Sequence, residues 1–275
     1  VTADHFAGAA RDEAADPRPY AEILRQWSSL HPEFVFLPRK FKIAVTGSER
    51  DRAAVKVHDI GLMMKKNAAG ESGFEVIVGG GLGRTPYVGP TVRDWVSKQD
   101  LLSYLEAIMR VYNRYGRRDN KFKARIKILV AELGLAEFIR EVEQEFAAQN
   151  TWEKVVLPQE EIDRITAYFA PPKFEKLPAK SDALDRALAQ DAPRARAFAR
   201  WCKNNLRPHK MPGYTSVHIA LKPQGVAPGA CTADQMRAIA DIGERFAQDD
   251  IRVAHEQDIV FPHVKLDDVH AVWEL

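Results

Sequence analysis

Apolar residues Tyr20, Ile23, Leu24 and Trp27 recur at helical spacing behind Pro17 and Pro19, and predict a helix over residues 17–31. A short β-rich run, Ile43-Ala44-Val45, follows and is closed by Gly47. Residues Asp59–Met64 read as a strand with a turn through Gly70, and Gly73–Val78 alternates into the triple glycine Gly79-Gly80-Gly81. These runs predict a meander of antiparallel strands. Apolar positions 101, 102, 104, 105, 108, 109, 111 and 112 form the wide stripe of a buried helix over 99–115, with Asp100 as its N-cap and Gly116 as its end. Two shorter amphipathic helices are expected over 127–147, separated at Gly134, with Phe138, Val142 and Phe146 on one stripe.

From 148 to 208 the composition shifts toward Ala, Pro, Lys and Asp, with breaks at Pro158, Pro171-Pro172 and Pro178 and an alanine-rich helix near 182–204. A second folded unit begins near Pro208. Its strand Tyr214–Leu221 alternates, its helix 232–246 opens with the Thr232/Gln235 capping-box signature, and Ile251–Phe261 holds two strand segments around a polar centre. The pattern is that of an α+β protein in three stretches, 1–148, 149–207 as a helical, Pro- and Ala-rich connector, and 208–275.

Composition excludes more than it selects. A chain of 275 residues with 45% apolar and 28% charged content folds into one large or two medium domains. Its formal charge of +2 gives no global argument for nucleic acid, so any anion preference must come from local clusters. There is no apolar run long enough to span a membrane and no basic-then-apolar leader, which predicts a cytoplasmic protein without a membrane partner. Cys202 and Cys231 are too few for a zinc or iron–sulfur cage and read as thiols. The eight histidines lack ligand spacing, so no metal site is expected, and Ser48, Ser97 and Ser103 lack an elbow for acyl transfer. The acidic cluster Glu160-Glu161-Ile162-Asp163 reads as a solvated helix face, and both chain ends read as cut from something longer.

What remains is cationic. Arg39, Lys40 and Lys42 lead into the first β-run; alternation sends Lys40 and Lys42 to one face and Phe41 to the other. Two ammonium groups roughly 7 Å apart repel unless an anion lies between them. The triple glycine reads either as a backbone concavity for an anion or as a tight bulge or hinge. Arg117–Lys127 carries six cations in eleven residues, a solvated helix face or the lining of a site for an anionic cofactor. His209-Lys210 ahead of Gly213 repeats the theme.

Four ordered motifs carry a family resemblance: Leu37-Pro-Arg-Lys-Phe-Lys42, Asp59-Ile60-Gly61, Val76-Ile-Val-Gly-Gly-Gly-Leu-Gly-Arg84 and Tyr115-Gly-Arg-Arg-Asp-Asn-Lys121. In order and spacing they resemble the sirohaem-dependent sulfite and nitrite reductases, and Met211–Gln257 resembles the ferredoxin-like half domain of those enzymes. The resemblance implies mixed and antiparallel sheets with flanking helices, a cluster-free sirohaem-binding repeat over 1–148 and the half domain of the second repeat over 208–275. It assigns Lys40 and Lys42 to substrate binding and proton delivery, Arg39 to sirohaem carboxylates, and Gly79, Gly80 and Gly81 to packing on the macrocycle. Gln257 and Lys210 match cofactor contacts of the half domain, whereas Asp258 sets an anion where the family has Asn. A lysine at position 42 favours sulfite over nitrite. The family's [4Fe–4S] cluster takes four cysteines in two close pairs, which Cys202 and Cys231 do not match.

The resulting expectation is a fragment of an assimilatory sulfite reductase. The full-length protein would carry out six-electron reduction of sulfite to sulfide with sirohaem, a [4Fe–4S] cluster and a ferredoxin or flavoprotein donor. The fragment alone, without the remainder of the parent polypeptide, would be inactive and hold no cofactor. The alternatives are a nitrite reductase fragment, a tetrapyrrole binder without redox function, and an anion- or nucleic-acid-binding module on residues 114–127. Near-neutral net charge and Phe122 as the one aromatic inside the basic core 117–127 count against nucleic acid.

Overall fold

A computed structural model of the chain describes residues 1–149, 155–190 and 192–275, so positions 150–154 and 191 of the stretch read as connector lie outside the described residues. Contacts divide the chain into two units, Val1–Ala7 with Glu13–Ala170 and Gly8–Asp12 with Pro171–Leu275. The result is α+β, with mixed and antiparallel sheets flanked by helices.

The first unit contains β1 (Thr2–Ala3), α1 (Arg18–Ser28), α2 (Pro32–Val35), β2 (Ile43–Thr46), β3 (Ile60–Lys66), β4 (Ser72–Val78) and β5 (Thr91–Ser97). Helices α3 (Leu101–Tyr115), α4 (Ile126–Leu133), α5 (Leu135–Gln149) and α6 (Gln159–Tyr168) follow. Its five-stranded sheet runs β1-β2-β3-β4-β5. β1, β2 and β3 pair in parallel, with Ile43 opposite Ile60, and only β3, β4 and β5 form an antiparallel meander. The expected all-antiparallel meander is therefore corrected at β2. That strand is buried on both faces: Ile43 and Val45 enter the main core, while Ala44 joins Val55, Met63 and Ile77. Parallel pairing needs a long crossover, which residues 47–59 supply together with a 3-10 turn at Val55–Val57.

The buried stripe of α3 runs from Leu101 to Tyr112 and packs against Phe138, Val142 and Phe146 of α5. Asp100 does sit at the N-cap position, but its carboxylate caps nothing there; Ser97 Oγ donates to it at 2.9 Å. Gly116 ends α3 and Gly134 separates α4 from α5, as expected. On α6, Ile162 and Ile165 join the same core while Glu160 and Asp163 face water.

The second unit contains α7 (Asp182–Leu188), α8 (Pro193–Asn205), β6 (Leu206–Pro208), β7 (Tyr214–Ile219), α9 (Ala233–Phe246), β8 (Arg252–Val253), β9 (Ile259–Lys265) and α10 (Val269–Glu274). Its antiparallel sheet runs β6-β7-β9-β8, and its core gathers Phe198, Val217, Ile242, Phe261 and Val272. Both hydrogen bonds of the Thr232/Gln235 capping box are present at the start of α9. Among the described residues no helix is long and apolar enough to cross a membrane.

Buried under β9, His209 is 6% exposed and packs near Phe174 and Tyr214. Its Nδ1 accepts from the Met211 N–H at 2.8 Å, so a neutral His209 donates from Nε2 to His263 Nδ1 at 3.0 Å. Burial lowers its pKa to about 4. Because the unfolded chain takes up this proton near pH 6.5 and the folded one does not until about pH 4, stability falls as pH drops through that interval. Thermal melts are expected to report a loss of about 2 kcal/mol between pH 7 and pH 5, above the range where carboxylates titrate. His209→Gln removes the share that His209 carries and leaves that of His58, whose pKa burial also lowers.

Candidate functional site

Asp59 ends the crossover that precedes β3 and is 0% exposed. Its two oxygens both accept: Oδ2 from the Lys42 N–H at 2.9 Å and Oδ1 from Arg125 Nε at 2.7 Å. Its backbone carbonyl accepts from the Gly79 N–H at 3.0 Å. Burial pushes its carboxyl above the usual range and outweighs the opposing pull of Arg125 and the Lys42 N–H. Three segments that lie far apart in sequence thus converge on one residue. Tyr112, buried on α3, adds a further anchor by donating to the carbonyl of Ala124, directly before Arg125.

An open cleft of about 530 Å³ lies on the other side of Arg125. Its lining includes the cations Arg39, Arg84, Lys123, Arg125 and Lys127 and a single carboxylate, Glu132. Glu132 itself lies 3.9 Å from Arg117. Lys127, at the start of α4, is 7% exposed; its Nζ donates to the Thr85 carbonyl and lies 5.4 Å from the Tyr87 ring centroid. Burial, and then the charge of Arg125, push its ammonium below the usual lysine range. No carboxylate among the described residues forms an ion pair with it, and Asp59, whose charge it feels, is bonded to Arg125, so the cleft carries an excess of positive charge that an anionic ligand would neutralise. Apolar surface lies among these charges, for Leu82 is 67% exposed and Phe122 78% exposed, with the Arg39 guanidinium 5.8 Å from the Phe122 ring centroid.

The expected site residues fall into three groups. Arg39 lines the cleft and donates to the Lys121 carbonyl at 3.0 Å. Lys40 and Lys42 precede β2 and are exposed, while Phe41 turns inward against Phe34 and Tyr112, as the alternation predicts. The glycines form the second group. Gly79 has φ +87, and a Cβ on Gly80 would come within 2.3 Å of the Lys56 carbonyl. The amides of Gly79 and Gly81 donate to the carbonyls of Asp59 and Tyr87, so these two N–H groups serve the chain's own turn and not an anion. A Cβ on Gly81 would meet Lys127 and Arg125. Lys210 and Gln257 belong to the second unit. Lys210 is exposed and donates its N–H to Ala9; Gln257 sits exposed at φ +66 in the turn between β8 and β9. Asp258 beside it, expected to repel an anionic cofactor, is instead buried and neutralised. It accepts from Lys222 and the Leu221 N–H and lies 3.1 Å from His218 Nε2. Burial alone would raise its pKa, but these donors and charges hold it below the usual carboxylate range.

Lys123, Arg125 and Lys127 were marked by sequence only as members of the run Arg117–Lys127, read as a solvated helix face or as the lining of a site for an anionic cofactor, and were not singled out within it. The fold divides it: Arg117 pairs with Asp119, Arg118 donates to the Phe36 carbonyl and Asn113, and only the later members reach the cleft. The available signal was Asp59 itself, an acid in an apolar strand context that calls for a cationic partner.

A polycarboxylate tetrapyrrole fits this donor set, which offers guanidinium and ammonium groups around exposed apolar surface. A thiolate-ligated cluster does not fit. Cys202 is buried in the second core with its thiol pushed up to about 11 by burial, and Cys231 is the other cysteine.

The family model described as "Nitrite and sulphite reductase 4Fe-4S domain" matches residues 1–150, and "Nitrite/Sulfite reductase ferredoxin-like half domain" matches residues 209–275. The chain is 33% identical over 141 residues to "Sulfite reductase [ferredoxin] 1" of Mycolicibacterium paratuberculosis, covering 51% of this chain and 25% of that protein. It is 26% identical over 274 residues to "Ferredoxin--nitrite reductase, chloroplastic" of Arabidopsis thaliana, covering 97% of this chain and 40% of that one. The structure of the Mycobacterium tuberculosis NirA protein matches 100% of this chain and 43% of its own, with a TM-score of 0.66 and 25% identity. The chain therefore spans between a quarter and about two fifths of the length of these relatives.

A cation buried without a carboxylate stabilises a ligand at the expense of the fold. Lys127→Met is expected to raise the thermal stability of the chain by about 1 kcal/mol while weakening its affinity for polyanions. A melt and an anion titration on the same preparation check both signs.

Proposed function

The chain belongs to the nitrite and sulfite reductase family, and on that premise we propose that its first unit holds the anionic flank of a sirohaem beside the lysines that receive the inorganic substrate. The observation that carries this reading is the cleft in which five cations line a surface with one carboxylate. Arg39, Arg84, Lys123, Arg125 and Lys127 hold the carboxylates, with Leu82 and Phe122 against the macrocycle. Gly81 keeps side-chain bulk away from Arg125 and Lys127, and the turn made by Gly79 and Gly80 sets the loop that carries Arg84. Lys210 and Gln257 lie in the second unit, and for them a cofactor contact is proposed on the family resemblance alone. When bound, sirohaem supplies the iron centre at which the substrate is reduced.

Lys40 and Lys42 are exposed at the start of β2, and their ammonium groups suit an oxyanion and the delivery of protons to its departing oxygens. The backbone of Lys42, directly before β2, is held as the Ile60 N–H donates to its carbonyl at 3.2 Å. Sulfite is the proposed substrate, because lysine at position 42 resembles the sulfite-reducing members, and ferredoxin is the proposed donor, because it is named in the titles of the relatives. Free thiols at Cys202 and Cys231 suit a reducing, cytoplasmic compartment. Two cysteines cannot supply the four thiolates of a [4Fe–4S] cluster, so six-electron chemistry is assigned to a polypeptide that also holds those ligands.

Purified by itself, the 275-residue polypeptide is expected to be colourless, to oxidise no reduced viologen on addition of sulfite, and to bind an added polycarboxylate porphyrin in a salt-sensitive manner. A sirohaem-coloured preparation active on sulfite overturns the inactivity, and the absence of porphyrin binding overturns the cleft assignment. In a polypeptide that also carries the cluster ligands, Lys42→Asn is expected to lower kcat/KM for sulfite on the order of 10²-fold and that for nitrite far less. Equal losses remove Lys42 as the discriminator.

A further inference from the structure

Arg125 presents its guanidinium to the cleft from an unusual support. Its Nε, not its terminal nitrogens, meets Asp59 at 2.7 Å. Anchorage through that one nitrogen leaves the outer Nη1/Nη2 edge for a ligand, and that edge is the fork that matches a carboxylate in two parallel hydrogen bonds. The other oxygen of the same carboxylate takes the Lys42 N–H at 2.9 Å, and the backbone carbonyl of Asp59 takes the Gly79 N–H at 3.0 Å. The backbone that carries the substrate lysine and the cation that faces the cofactor are therefore set by opposite oxygens of one side chain.

Stability does not explain this arrangement. A fully buried carboxylate with one guanidinium loses several kcal/mol of hydration per ion, and apolar residues of similar volume commonly stabilise a fold as well or better. The pair also sits among residues that could replace it with packing, since Ile60, Tyr112 and Ile126 are buried around the same segments. What apolar residues cannot do is orient a guanidinium.

We propose that Asp59 is a positioning residue for the anion site, holding Arg125 and the Lys42 segment in a single register so that the cofactor and substrate cations are placed together. The inference rests on the reading of the cleft as a polycarboxylate tetrapyrrole site. It reverses the effect expected of a bare charge. A buried anion beside a cationic cleft weakens anion binding through its field alone, so its neutralisation would tighten binding. A positioning residue gives the opposite sign.

The test uses the 275-residue chain, uroporphyrin as the polycarboxylate probe, and fluorescence quenching as the readout, with folding followed by circular dichroism. Asp59→Asn keeps the size of the side chain and an acceptor for the Lys42 N–H but removes the counter-charge of Arg125. It is expected to weaken uroporphyrin binding by about tenfold or more, the effect typical of losing a ligand's supporting partner. Arg125→Lys keeps the positive charge but cannot bond Asp59 through Nε while presenting a fork, and it is expected to lose a similar factor. Because both break one contact, the double variant is expected to be no weaker than the weaker single variant. Unchanged or tighter binding by Asp59→Asn overturns the proposal, as do losses that add in the double variant. Should Asp59→Asn fail to fold, unchanged binding by Arg125→Lys overturns the proposal just as directly. If the unaltered chain binds no uroporphyrin, the cleft reading fails and this inference with it; if it binds and Asp59→Asn binds as well, only the inference fails.

Discussion

Asp59 loses its water on folding and receives in return one guanidinium nitrogen and one backbone N–H, a poor exchange unless the geometry it enforces is useful. Three local features of the fold meet at that carboxylate. β2 and β3 run parallel because the crossover 47–59 returns Asp59 to the start of β2 and not to its end. The turn at Gly79 closes where its N–H can reach the Asp59 carbonyl. Residues 116–125 end with Arg125 facing inward, and Tyr112 reinforces the approach by holding Ala124.

One buried charge from each unit shows the contrast that matters here. In the second, Asp258 is matched by Lys222, His218 and a backbone N–H, so its site is electrically complete. In the first, Asp59 is committed to Arg125, and Lys127 shares the cleft with only a carbonyl and an aromatic ring against its ammonium. An incomplete site of this kind resembles half of a complex, whose other half is the ligand. The interleaved Leu82 and Phe122 suit a flat ring better than a small ion.

Much of this was legible before any coordinates. Helices α1, α3 and α5 were evident because their apolar stripes are long and their ends carry Pro17, Gly116 and Gly134, and the Lys40-Phe41-Lys42 alternation is a period-two pattern that survives into the fold. The direction of β2 was not legible, since four consecutive buried residues look the same in a parallel and an antiparallel neighbour. β5 escaped because Arg93, Asp94 and Trp95 interrupt its only two fully buried positions, Val92 and Val96. Of the cleft cations Arg39 was singled out, whereas Lys123, Arg125 and Lys127 stayed undistinguished within their run: charge density along a chain does not say which members meet a carbonyl, an aspartate or open space. Arg117 and Lys127 differ little in sequence and greatly in surroundings.

The bond between Arg125 and Asp59 spans 66 positions of the chain, whereas that between Lys42 and Asp59 spans 17. Closing the longer separation costs more chain entropy, so the guanidinium contact depends on β2, β3 and α3 being assembled. Until then the cations are ordinary solvated side chains without a common orientation. The guanidinium fork is thus a product of the tertiary fold and not of its local sequence, and a chain that has lost that fold carries the same cations with no shared geometry.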